Sequence, residues 1–352
     1  MHNESTTTEG TCFGNCTVES DAGRVVYQSF IERQILAAIF ITIAILGTVG
    51  NSFVILAVAW TKKLRTITNV FVVNLAVADV LTCVFMPWQV VAILGGNAWP
   101  IPGAPWVCAM AGFVVVVTFG CSINSLALIA VNRWVGITKS RVTTRRIYTA
   151  RKLALMVIFS WAIPLGCALT PVLTDFGELG YEKLYATCTW DISNTYSAYY
   201  NILLTVVCYP IQTTVIIFSY MSIFCYVRRT THRMVEVVVS SDSHEIGDER
   251  MRRNLWKRQL GVTKNLLYII LAFMVCLTPY FVAIVVYTDW SYRLTPWAGA
   301  ILFCNSFVNP IIYATSHPDF KRVFSHVIRY RRIPRSGSFK RPISPTNTGS
   351  DA

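Results

Sequence analysis

Charge is what this chain has least of. Of its 352 residues, 14% are charged and 54% hydrophobic, which is too sparse in charge for an ordinary soluble domain. Acids are scarcer than bases, 18 Asp and Glu against 31 Lys and Arg, for a formal net charge of +13. That excess invites a nucleic-acid reading, but no polar segment is long enough to bury a core of its own, so a basic folded domain is excluded. Histidine is missing from every long apolar run: His2, His232, His244, His317 and His326 all lie outside them. Neither an HExxH nor a GxSxG pattern occurs, which removes the usual signatures of membrane metallohydrolases and serine hydrolases. Internal repeats and multiple charges within the runs are also lacking, against the expectation for a transporter or channel. No apolar segment of signal-peptide type precedes the first run, so that run is expected to serve as its own uncleaved insertion signal.

What is present is a set of seven apolar runs, at 35–60, 70–94, 107–131, 153–172, 196–226, 262–287 and 296–313. Each is of a length that crosses a bilayer as a helix. The expected fold is an all-α membrane protein, a seven-transmembrane helix bundle. Of the 31 cationic side chains, only Arg24, Arg33, Lys183 and Arg293 fall on the side of the membrane that holds Cys108. The others accumulate on the side of Arg133. Because Lys and Arg collect on the cytoplasmic face, the chain is expected to be a multi-pass plasma-membrane protein with its N-terminus outside and its C-terminus inside. Most of those cations set topology and bind anionic membrane lipids.

The expected division is an extracellular N-terminus (1–34), the bundle (35–317), a short amphipathic interfacial helix (318–330) and a disordered cytoplasmic tail (331–352). Asn3 and Asn15 begin N-x-[ST] acceptor patterns, and Cys12 and Cys16 either pair or stay free. In the interfacial segment Phe320, Val323, Phe324 and Val327 recur at helical spacing, with Lys321, Arg322 and Arg329 elsewhere around the turn. No cysteine follows Cys304, so an S-acyl anchor there is excluded.

The third run organises the rest, with a lone cysteine, Cys108, at one end and Asn132-Arg133-Trp134 at the other. Asp79 is the one acid inside any run. A carboxylate at that depth is costly unless paired or hydrated and marks a functional site by default; the bland reading is a carboxyl that bridges helices by hydrogen bonds. Polar partners recur in other runs: Asn51, Ser122, Asn305 and Asn309. Their oxygens are hard ligands, suited to a small cation such as sodium with retained water. No other cofactor is implied.

Gly50-Asn51, Leu75-Ala76-Val77-Ala78-Asp79, Asn132-Arg133-Trp134, Trp161, Cys276-Leu277-Thr278-Pro279 and Asn309-Pro310-Ile311-Ile312-Tyr313 each fall in a different run. Their order and depth resemble the rhodopsin-like (class A) G-protein-coupled receptors, from about residue 35 to residue 324. The triplet around Arg133 also resembles the melatonin-type receptors and their orphan relatives. The resemblance implies a receptor that converts binding of an extracellular ligand into activation of a heterotrimeric G protein, and it implies no enzyme activity.

It also implies roles. Cys108 is bridged to Cys188. Arg133, with Asn132 and Trp134, forms the G-protein switch, and Tyr220, Pro310 and Tyr313 rearrange with it. Two positions depart from the pattern: Asn132 stands where an acid is usual, and Gln259 stands where many relatives carry another, so neither neutralises Arg133 and ligand-free signalling is expected. Phe273, Leu277 and Pro279 form the hinge, with Leu277 in place of the usual tryptophan. Pro210 lies two residues before the family's usual fifth-span proline.

Gln89, Val115, Phe119, Tyr280, Phe281, Ile284, Trp297 and Phe303 are expected to face the ligand, although about half of such residues ordinarily just pack. Val115 occupies the place of the aspartate that amine receptors need, which disfavours a biogenic amine. The seventh run holds no lysine for a retinal Schiff base, so an opsin is excluded. A neutral aromatic or lipid-like ligand is favoured; a peptide meeting Asp175, Glu178, Glu182 and Asp191 is the other possibility. The alternatives to signalling are a seven-helix scaffold or scavenger, or an amine receptor with an atypical pocket. Ser336, Ser338 and Ser344 are candidate phosphorylation sites for arrestin recruitment.

Overall fold

A computed structural model describes residues 26, 27, 29–191, 195–240, 268, 271, 272, 274–286, 288–316 and 320–325, with side chains 231–240 and 316 excepted. Asn3, Cys12, Asn15, Gln259, Phe273 and the tail serines lie outside these residues. Helices α1 (Phe30–Trp60), α2 (Ile67–Gly95), α3 (Pro105–Thr138), α4 (Arg141–Ile147) and α5 (Ala150–Leu173) come first, with a short 3-10 turn at Lys62–Leu64. A hairpin of β1 (Leu179–Glu182) and β2 (Thr187–Trp190) follows, then α6 (Ser197–Cys208) and α7 (Pro210–Ser240). The chain continues with α8 (Met274–Val285) and α9 (Asp289–Ser316). Among the described residues, six helices are long and apolar enough to span a membrane, α6 and α7 counting as one, and α8 supplies a shorter apolar helix in the place of the sixth run.

Local chemistry sets the helix starts. Ser29, Thr66 and Ser140 place side-chain oxygens on the free N–H groups of Glu32, Asn69 and Thr143, and Pro105 occupies the first turn of α3, where no donor is needed. The helices run past the apolar runs because their ends reach the interface; α3 continues to Thr138, five residues beyond Arg133.

α3 is the axis of the bundle. It packs on α2, α5, α7 and the hairpin, and 72% of its apolar stretch is inside, against 22% for α5. In lipid there is no hydrophobic drive to bring helices together, so close packing and interhelical hydrogen bonds must hold them. Asn74 illustrates this: it donates to Ser125 Oγ (2.7 Å) on α3 and Ser160 Oγ (3.0 Å) on α5, and accepts from Trp161 Nε1 (2.8 Å).

Two features depart from the sequence reading. The hairpin adds a small sheet to an otherwise helical fold, paired Tyr181 to Cys188. The fifth run is not one helix: it breaks at Tyr209, because Pro210 has no N–H to give to the preceding turn. Gln212 mends part of the gap, its Nε2 donating to Val207 O (2.8 Å) and to Asn124 Oδ1 (3.0 Å) on α3.

The start of the interfacial segment is helical at 320–325. Phe320 stacks on Tyr313 (5.5 Å) and Phe324 meets Phe53 (4.3 Å), so this helix turns its apolar face to the bundle.

Candidate functional site

Three structures line up along α3, one at each end and one at mid-depth. At the Cys108 end, Cys108 is disulfide-bonded to Cys188, which draws β2 across the top of the bundle. Gly112 permits the close approach, since a Cβ there would stand 3.1 Å from Thr189 Cα. Gln89 fixes the strand from the other side. Its Nε2 donates to Cys188 O (2.7 Å) and its Oε1 accepts from Cys188 N (2.8 Å). The chain before α1 closes over the hairpin tip, with Val26 N donating to Leu184 O (2.9 Å) and Tyr27 Oη to Tyr185 O (2.8 Å).

Beneath this roof lies a cavity of about 540 Å³. Val115, Phe119, Phe281 and Ile284 are apolar residues of its wall, and among the described residues no Asp, Glu, Lys, Arg or His lines it. Hydroxyls and amides gather at its two ends: Tyr27, Tyr185, Tyr292 and Thr295 toward α1 and α9, Thr195, Ser197 and Asn201 toward α6. Burial raises the phenol of Tyr27 and of Tyr185 far above the ordinary tyrosine value, and pushes Tyr181 up to about 12, so these three phenols stay neutral.

Of the residues expected in this pocket, Gln89, Val115, Phe119, Tyr280, Phe281, Ile284 and Phe303 line it. Trp297 does not. Its Nε1 donates to Glu32 Oε1 (3.2 Å), and its ring packs against the cluster of α1 and α9, because a buried indole N–H needs an acceptor and α1 supplies one. Gln89 lines the wall with both polar atoms already engaged by Cys188.

At mid-depth, Asp79 Oδ1 accepts from Ser122 Oγ (3.1 Å) and Oδ2 from Asn309 Nδ2 (3.0 Å). Asn51 Nδ2 donates to Gly47 O (3.0 Å) and Ser306 O (2.6 Å). The opposite oxygens, Asn51 Oδ1 and Asn309 Oδ1, are buried without a hydrogen-bond partner. A carboxylate with two orphaned amide oxygens nearby is a donor set that fits a small hard cation. Asn305 is buried one turn before Asn309 on the same helix. Among the described residues no group of three His, Cys, Asp or Glu is arranged for a transition metal.

At the far end, Asn132 Oδ1 accepts from Thr68 Oγ1 (2.6 Å). It therefore faces α2. Arg133 faces inward toward the hydroxyls of Tyr220 and Tyr313; its Nε and both hydroxyl oxygens are buried with no hydrogen-bond partner. Trp134 lies on the flank, against Phe218 (5.7 Å) and under the Lys139 ammonium. In α8, Leu277 is fully buried where the family's tryptophan is usual.

Residues 50–313 match the family model "7 transmembrane receptor (rhodopsin family)". The chain belongs to that family. Among its curated relatives are Melanopsin-A of Danio rerio, 29% identical over 85% of this chain and 50% of the relative, and a melanopsin-like protein of the same fish, 30% identical over 84% and 58%. Human 5-hydroxytryptamine receptor 4 is 26% identical over 86% of this chain and 82% of the relative. The chain thus spans little more than half the length of the melanopsins it matches. Squid rhodopsin has the same fold, with a TM-score of 0.74 at 20% identity, over 89% of this chain and 92% of its own. Despite these opsin relatives, α9 contains no lysine.

Sequence reasoning missed the Tyr209–Thr278 hydrogen bond (2.7 Å) between the two proline-bearing helices, the Tyr209–Phe281 stack (4.8 Å) above it, and the role of Gln212. A polar residue inside an apolar run was the available signal for Gln212 and for Asn201.

Proposed function

We propose that this receptor sits in the plasma membrane with its N-terminus outside, binds a neutral ligand with an aromatic or lipid-like body in the cavity under the hairpin, and activates a heterotrimeric G protein through Arg133. The observation that carries the reading is the pairing of an aromatic-lined cavity without charged lining residues at one end of α3 with an arginine that has, among the described residues, no neutralising acid at the other. A cationic amine has no partner in that cavity; an aromatic body with hydrogen-bonding groups fits it.

The mechanism follows from what lies between. Ligand contact with Phe281 is felt at Tyr209 and Thr278, beside Pro210 at the start of α7 and Pro279 in α8, each of which removes a backbone hydrogen-bond donor. Displacement of α8 opens the space into which Arg133, Tyr220 and Tyr313 turn, and the G protein takes the guanidinium. Asp79, Ser122, Asn51 and Asn309 would hold a sodium ion, which would supply a positive charge beside the Asp79 carboxylate. Lipids surround the bundle, and arrestin recruitment by the tail serines belongs to the same proposal. One relative is described as a Gq-coupled rhodopsin, which makes Gq the first G protein to try.

The test is a panel of G-protein dissociation sensors screened against neutral indoles, lipids, peptides and biogenic amines, with Arg133→Ala as control. A neutral compound that activates the wild type and not the variant supports the reading. Activation by amines alone overturns the ligand class, and a silent panel with no receptor-dependent exchange favours a scaffold or scavenger.

A further inference from the structure

The segment that joins α3 to α5 carries a charge pattern that the receptor reading leaves unused. Between Glu32 and Asp175 the sequence has one acid, Asp79, and it is buried at mid-depth. α4 and the first turn of α5 hold Arg141, Arg145, Arg146, Arg151 and Lys152, all exposed. The long connection after α7, by contrast, mixes its cations with Asp242, Glu245, Asp248 and Glu249. The five cations stand on a fixed frame. Ser140 Oγ accepts from Thr143 N (3.2 Å) at the start of α4, and Tyr148, between the two helices, is buried against Phe71 of α2 (6.4 Å). Lys152 Nζ donates to Arg146 O (3.1 Å), which brings the end of α4 against the first turn of α5. Arg151 and Lys152 open a spanning helix, so they stand at the depth of lipid headgroups. Leu155, Ile158 and Phe159 follow at i+4, i+7 and i+8 from Arg151, on the same helix face, and all three are exposed.

We propose that this face is a binding site for a polyphosphorylated inositol lipid, with the headgroup phosphates on the cations of α4 and α5 and an acyl chain along Leu155, Ile158 and Phe159. Guanidinium groups hold phosphate oxygens through paired N–H donors. Each cation near the membrane surface adds to the attraction for an anionic headgroup, so a cluster without intervening acids favours a headgroup of several phosphates over phosphatidylserine. The apolar stripe that continues from the cations into the bilayer favours a lipid over a soluble polyanion or the acidic face of a protein. This is a defined site, where a general excess of cations gives only diffuse attraction.

Native mass spectrometry of the full receptor, released from micelles doped with phosphatidylinositol bisphosphate or with phosphatidylserine at equal concentration, tests this. The expected result is a retained bisphosphate lipid and no retained serine lipid. Arg145→Gln combined with Arg146→Gln should weaken retention about thirtyfold. Both side chains are exposed and the Lys152 bond is to the backbone of Arg146, so the melting temperature should stay at the wild-type value. Arg228→Gln combined with Arg229→Gln removes the same charge from exposed positions on α7 and should leave retention unchanged. Equal retention of the two lipids, or equal loss in the two double variants, reduces the effect to net charge and overturns the proposal. Displacement by soluble inositol trisphosphate at the concentration of the lipid overturns the acyl-chain contact. Lipid retention unchanged in the α4 variant, with G-protein binding lost, assigns the arginines to a protein partner and overturns it as well. Lipid retention is read without ligand or nucleotide exchange, and whichever side of the membrane α4 faces, so the receptor reading stands or falls separately.

Discussion

The Asn132 carboxamide accepts a 2.6 Å hydrogen bond from Thr68 and turns its back on Arg133, the next residue along α3. The guanidinium therefore has buried tyrosine hydroxyls for company and, among the described residues, no acid. Asn132→Asp keeps the Thr68 acceptor and brings a charge beside Arg133. A hydrogen bond to a charged partner contributes ~1.5–3 kcal/mol, so ligand-free nucleotide exchange is expected to fall about tenfold. Asn132→Ala, which removes the Thr68 bond without adding charge, leaves exchange at or above the wild-type rate.

Gln89 holds the hairpin by both of its polar atoms, and Gln89→Leu strands the N–H and C=O of Cys188. Leaving a buried polar group unsatisfied costs about 1–3 kcal/mol. The variant is expected to melt several degrees lower, with the disulfide intact on a non-reducing gel. An unchanged melting temperature contradicts the hairpin's place in the fold.

The proposed cation site predicts a salt effect that depends on the ion and not on ionic strength. In sodium chloride the wild type should be more stable than in choline chloride by ~1 kcal/mol, as for a ligand a few-fold above its dissociation constant. Asp79→Asn removes the charge, and the two salts should then give the same melting temperature.

Tyr181 yields a pH prediction. Burial, opposed by the Arg33 guanidinium and aided to a smaller extent by Glu182, lifts its phenol from 10.0 to about 12. The folded state keeps a proton that the unfolded chain releases, so stability is full below pH 10 and falls as pH rises toward 12. Melting temperature against pH should drop more steeply over that interval in the wild type than in Tyr181→Phe.

Much of this was legible because membranes impose strong constraints. Asp79 stands out as the lone acid in the runs, and its partners Ser122 and Asn309 were identifiable as polar residues in other spans. Arg133 was legible for the same reason. The fold's irregular parts were not. Pro210 signalled a break, but not that Gln212 would reach back to Val207 and across to Asn124. Trp297 looked like a pocket aromatic because spacing gives a helix face, whereas the acceptor on Glu32 that turned it away lies on another helix.

Arg133 is the account's centre, and nucleotide exchange measures it most directly. Purified receptor in vesicles with a panel of heterotrimeric G proteins and no ligand is predicted to raise exchange above receptor-free vesicles, with Arg133→Ala returning it to that floor. A wild-type rate equal to that of receptor-free vesicles for every G protein, or an Arg133→Ala rate equal to wild type, contradicts it.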